Sequence, residues 1–304
     1  MSLNNEFVDK EVKMDTKLTD HLAQGKLLIA DGATGTMIMA AGLPAGSAPE
    51  LWNAERPDQV LALYRAYLDA GSQIILTNTF GGSRLKLAKT GLAERTHELN
   101  LAAARLARQA ANGRAYVAGD IGPTGELMTP MGSLTDELAL EVFSEQAAAL
   151  AEGGVEALWI ETMSDLAEAR AAVTAARRVT NLPVFCSLSF GRKARTMMGV
   201  TPKQAALELW PLGLSAIGAN CGEGLEMIPE VLAQMRQALP EAVLIAKPNA
   251  GLPKLVDGKT VYDMEPAQFA NRMAEFIDQG AQIVGSCCGS SPAYISALVE
   301  RVGR

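Results

Sequence analysis

A (β/α)8 barrel is the fold class that this 304-residue sequence predicts, and three observations predict it. Eight short apolar runs recur along the chain, each followed by a stretch of helix-forming residues. The runs are continuously apolar rather than alternating, which is the pattern of parallel strands buried on both faces. Polar and thiol residues collect just past the ends of the runs, where such a barrel carries its chemistry.

The runs are Leu27–Ala30, Gln73–Leu76, Ala115–Ala118, Ala157–Ile160, Val184–Leu188, Ala216–Ala219, Val243–Ala246 and Gln282–Gly285. Between them, Pro57-Asp58 opens a helix that stops at Gly71, with proline at the start and glycine past the end. Ala93–Asn112 is rich in alanine, leucine and arginine and ends at Gly113, and Thr135–Glu152 ends at Gly153-Gly154. Ser164-Asp165 caps a helix running to about Arg178. Further helices are expected to start at Thr201-Pro202, Glu223-Gly224, Glu265-Pro266 and Ser291-Pro292. Residues 1–20 alternate in charge without a firm apolar period and read as a short N-terminal extension, either flexible or helical. No linker or composition shift divides the rest, so residues 21–304 read as one α/β domain, a TIM barrel.

Composition narrows the function. Hydrophobic residues make up 48 % and charged residues 20 %, enough apolar material for a large core. The net charge of −7 and the 5 % aromatic content argue against nucleic-acid partners and anionic membranes. No apolar run reaches the ~18 residues of a membrane span, and the polar N-terminus is no secretory signal. A cytoplasmic location is therefore expected, where cysteines stay reduced and act as ligands or catalysts.

Three of the four cysteines end apolar runs: Cys221 in Asn-Cys-Gly, and Cys287 and Cys288 in Gly-Ser-Cys-Cys-Gly. Three thiolates meeting at one barrel rim suit a Zn2+ ion with its fourth position open, and such a centre suits the activation of a substrate thiol. Cys186 lies inside the fifth run and reads as core. The two histidines, His21 and His97, do not supply a triad or a zincin motif and read as surface or packing residues. Asp31 and Glu161, at the ends of runs one and four, suit a substrate ammonium. Glycines beside Asp31 let backbone amides approach a carboxylate. Asp-Gly-Ala-Thr-Gly-Thr lacks the Gly-Lys-Ser/Thr ending of a phosphate loop. Arg192, Lys193 and Arg195 read as a solvated loop, with a docking or phosphate contact for a methyl donor as the alternative.

Asp31–Thr36, Asn78–Gly81, Asp120–Glu126, Glu161–Asp165, Asn220-Cys221, Pro248–Pro253 and Gly285–Gly289 together resemble the homocysteine S-methyltransferase family over roughly residues 25–300. The details are most like the homocysteine-binding module of cobalamin-dependent methionine synthase. The resemblance implies a zinc-dependent barrel that methylates the sulfur of L-homocysteine to give L-methionine, with Cys221, Cys287 and Cys288 as catalytic metal ligands. It implies Asn249 as a displaceable fourth ligand. Asp31, Gly32, Thr34 and Glu161 would hold the substrate's amino-acid end. The implied donor is a methylated corrinoid such as methylcobalamin, brought by a separate protein or module. A sulfonium or betaine-type donor, demethylation toward another acceptor, and a barrel with purely structural zinc remain open. Thr162, where betaine-using relatives are expected to carry tyrosine, counts against betaine.

Overall fold

The computed structural model describes residues 14, 16–256, 259–262 and 264–303, so most of the expected N-terminal extension lies outside the described residues. Among the described residues, eight parallel strands form one sheet. In chain order they are Leu28–Ile29, Ile74–Leu76, Tyr116–Ile121, Ala157–Met163, Val184–Leu188, Ala216–Cys221, Leu244–Pro248 and Ala281–Val284. Strands two to eight pair successively in chain order, and the first strand pairs with the eighth. The sheet closes between strands one and two through the Ala30–Ile74 bridge and the bonds Gln73 N–Ile29 O and Asp31 N–Ile74 O. The expected (β/α)8 TIM barrel is therefore the fold.

The outer helices follow the punctuation of the sequence. Proline stands in the first turn of Pro57–Asp69, Pro202–Leu209, Pro266–Asp278 and Pro292–Arg301. There its missing N–H costs no helical bond. The Asp165 carboxylate accepts from the backbone N–H groups of Ala167 and Glu168 and starts Leu166–Val179. Two helices begin later than expected. A 3-10 turn, Ala93–Arg95, precedes Thr96–Ala111. The helix expected at Glu223 is a 3-10 turn from Leu225 and an α-helix only from Ile228, because Gly224 sits at φ 88°, outside helical space. A hairpin, Lys254–Val256 with Lys259–Val261, is an addition that no apolar run announced.

Inside the barrel, side chains alternate inward and outward along each strand. The inward set includes Leu28, Ala30, Ile74, Leu76, Tyr116, Ala118, Ala157, Trp159, Phe185, Ala216, Ile245 and Ile283, all buried in one cluster. Leu18, from the short helix Leu18–Ala23, joins that cluster from the N-terminal side. The Tyr116 hydroxyl donates to Thr16 O and ties the segment down. Continuing the alternation two residues past this apolar layer puts Asp120, Glu161, Ser187 and Lys247 inward, and Asn220 two steps past Gly218. These strands run further than their apolar sequences because the polar residues still face a shared interior and can pair there.

Candidate metal centre and substrate cavity

The sixth strand delivers Cys221 and the loop after the eighth delivers Cys287 and Cys288. Their three sulfur atoms lie within 4.8 Å of one another, with Cys221 Sγ 4.0 Å from Cys288 Sγ. The seventh strand joins the two loops: Pro248 O accepts from Cys287 N, Ala250 N donates to Cys288 O, and Asn249 Nδ2 donates to Gly222 O. Both cysteine motifs end in glycine for steric reasons. A Cβ at Gly222, φ 69°, would lie 2.2 Å from Phe190 O, and one at Gly289, φ 81°, would lie 2.1 Å from the Tyr262 ring.

The donor set fits a zinc ion. Tetrahedral Zn–S bonds of about 2.3 Å put sulfur pairs roughly 3.8 Å apart, close to the spacing found. Burial and mutual contact make the thiols resist ionisation without a cation. Cys287 lowers Cys221, yet Cys288 and burial outweigh it and push Cys221 up to about 11. Cys221 lowers Cys288, yet Cys287 and burial outweigh it and push Cys288 up to about 12. The contact with Cys221 and burial also raise Cys287. A divalent cation reverses that balance and holds the sulfurs as thiolates. Asn249 is buried, and its Oδ1 has no hydrogen-bond partner. A buried carbonyl oxygen left unpaired, on a residue whose amide bonds the Cys221 loop at Gly222, suits a displaceable oxygen ligand.

The cysteines open onto a cavity of about 380 Å³ whose inner wall also carries Gly32, Thr34, Asp120, Glu161 and Lys247. Met39, Glu50, Phe80 and Lys86 line its outer part. Glu161 therefore stands where a substrate could meet it. Asp31 is fully buried one layer behind the wall: its Oδ2 accepts from Leu76 N, and its Oδ1 is 3.5 Å from Lys247 Nζ.

Three residues without an assigned role in the sequence reading complete the site. Lys247, buried, lies 3.5 Å from Asp31, 3.8 Å from Glu161 and 5.8 Å from the Trp159 ring centroid. Burial alone would lower its pKa, but Glu161 and Asp31 outweigh burial and keep it an ammonium. Asp120 is held well above the carboxylate range by burial and by Glu161. Asn220 contacts strands four and five and the loop after strand eight. Each is a single polar residue at an inward position, a signal that becomes readable only once the strand register is known. Elsewhere the sequence reading holds: Cys186 is fully buried in the core, and His97 is exposed beside Glu152.

Comparison with known proteins gives one family match, to homocysteine S-methyltransferase, over residues 28–302. The methionine synthase of Mycobacterium tuberculosis is 32 % identical over 308 residues, covering 95 % of this chain and 25 % of the relative. That of Mycobacterium leprae is 31 % identical over 310 residues, with the same coverage. The chain thus spans a quarter of the length of these relatives. Among solved structures, the homocysteine methyltransferase MmuM of Escherichia coli in its metallated form superposes with a TM-score of 0.78 at 23 % identity. The match covers 93 % of this chain and 98 % of that one. Its oxidized form superposes at 0.76 with 24 % identity, covering 90 % and 96 %, and this likeness speaks to the fold.

Proposed function

The chain belongs to the homocysteine S-methyltransferase family, and from that premise we propose that it transfers a methyl group to the sulfur of L-homocysteine, giving L-methionine. The observation that carries this reading is the trio of sulfurs within 4.8 Å on the wall of a cavity that also presents Glu161. Cys221, Cys287 and Cys288 would hold Zn2+, with Asn249 Oδ1 as the oxygen that substrate displaces. When bound there, zinc favours the deprotonated form of a substrate thiol near neutral pH, so no histidine base is needed.

The protein's own groups place the substrate. Glu161 takes the ammonium. Asp31, one layer back, holds Lys247 in place and adds to the negative potential that draws the ammonium in. Backbone amides around Gly32 and the Thr34 region take the carboxylate. The cavity then orients the sulfur for in-line attack. A sulfur lone pair forms the S–CH3 bond while the bond from methyl carbon to the donor breaks, and its electron pair leaves with the donor. We favour a methylated corrinoid carried by a separate protein or module. The fourfold greater length of the mycobacterial relatives supports a donor delivered by further modules. The need for reduced thiols supports a cytoplasmic setting.

Zinc content together with X-ray absorption during a homocysteine titration tests the reading. One zinc per chain that gains a sulfur neighbour is expected, with metal and turnover both lost in Cys288→Ala. A coordination shell indifferent to homocysteine would remove the proposal and favour a purely structural ion. Turnover against a methylated corrinoid, a sulfonium and a betaine then identifies the donor.

A further inference from the structure

Asn220 is 1 % exposed, and every polar atom of its side chain is engaged. Its Oδ1 accepts from the Thr162 amide and from the Ser187 hydroxyl, both at 2.8 Å. A backbone N–H can only donate, so the orientation of the carboxamide is settled. Its Nδ2 faces three acceptors: Thr162 Oγ1 at 2.6 Å, Glu161 Oε2 at 3.2 Å and Cys287 Sγ at 3.9 Å. Its bonding partner Thr162 and its chain neighbour Cys221 are strained. Thr162 has φ 63° and Cys221 has φ 57°, left-handed values that non-glycine residues adopt only when their surroundings impose them. One side chain therefore holds the Glu161 carboxylate, the backbone turn after it and one cysteine of the sulfur trio.

We propose that Asn220 is a positioning residue that couples recognition of the substrate ammonium at Glu161 to activation of the thiol at the cysteine cluster. The inference rests on the zinc and homocysteine reading above. Two amide hydrogens serve three acceptors, so Glu161 and Cys287 compete for one of them. An ammonium bound to Glu161 meets that carboxylate's demand and releases the shared hydrogen toward Cys287. An N–H···S bond withdraws charge from a thiolate. The cluster then accepts a fourth sulfur more readily. A thiol that arrives with an ammonium is thereby bound more tightly at its sulfur than a bare thiol.

Cobalt(II) in place of zinc supplies a readout independent of turnover, the sulfur-to-cobalt charge-transfer band. In the native protein this band should shift more with homocysteine than with 4-mercaptobutanoate, which lacks the ammonium. Equal shifts would overturn the coupling. In a double-mutant cycle, Asn220→Ala and Glu161→Gln should each weaken homocysteine binding about tenfold, and the pair roughly thirtyfold rather than the hundredfold of independent sites. Asn220→Ala should also abolish the difference between the two thiols. A fully additive cycle would overturn the inference. Asn220→Ser, which cannot bridge both acceptors, replaces the alanine variant should that one fail to fold. A native cobalt protein that gains no sulfur band from homocysteine would instead sink the function reading, and this inference with it.

Discussion

Asp31 shows how burial and pairing contend at a single residue. Burial pushes its carboxyl up to about 6 from 3.8, against the pull of Lys247. The folded chain therefore holds that proton more tightly than the unfolded chain does. Asp31 favours the fold below pH 3.8, and this preference is lost as pH rises through 6. At 1.36 kcal/mol per pH unit the preference amounts to roughly 3 kcal/mol. Asp31→Asn should thus flatten the dependence of unfolding free energy on pH between those values, read from urea titrations at several pH values. An unchanged slope would assign the dependence to another group. The cysteines were legible at this scale because three rare residues share one context, the ends of apolar runs flanked by glycine. Lys247, Asn220 and Asp120 were not, because one polar residue closing an apolar run has no spacing of its own. Nor could the sequence reveal that Asp31 stands behind the cavity wall and Glu161 on it, since both close apolar runs.

The strands were legible as elements because burial on both faces leaves an uninterrupted apolar run, and the helices because proline, threonine, aspartate and glycine mark their ends. What escaped was how far each strand continues. The fourth strand reaches Met163 and the third Ile121, beyond the last residue of their apolar runs. Pairing across the barrel carries those polar residues, a property of neighbouring strands and not of the segment. Whether the N-terminal extension is flexible or helical stayed open in the sequence for a related reason, and the short helix Leu18–Ala23 lies at its end. It has six residues and no side-chain cap, so its own propensity does not sustain it. Packing of Leu18 into the barrel interior does. Leu18→Ala should cost about 2–5 kcal/mol, the range for truncating a buried leucine. Metal affinity should be unchanged, because Leu18 enters at the N-terminal end of the strands. Urea unfolding alongside a cobalt titration checks both. A cost under about 1 kcal/mol would mean that the helix is an ornament on the barrel.

At the scale of the whole molecule, the closed sheet puts three thiols, two further carboxylates and a lysine on one cavity wall. The apolar interior beneath holds them there. Such a site concentrates groups that oppose one another: the thiols resist ionisation, and burial together with the nearby Glu161 raises Asp120. A zinc ion bound at the three cysteines by the folded chain would then stabilise the entire barrel, because the sixth strand and the loop after the eighth would carry its ligands and the unfolded chain scatters them. Mass action sets the size: free zinc at a hundred times its Kd adds about 2.7 kcal/mol, less whatever binding the unfolded thiols retain. At about 2.1 cal/mol/K of unfolding entropy per residue, each kcal/mol moves the Tm of a 304-residue chain by roughly 1.6 °C, so chelation should lower Tm by about 4 °C. The shift should grow with the logarithm of free zinc and vanish in Cys221→Ala. Scanning calorimetry across zinc concentrations reads this directly. A Tm that ignores zinc while homocysteine still binds would separate the thiols from the barrel's stability and return the sulfur cluster to a packing role.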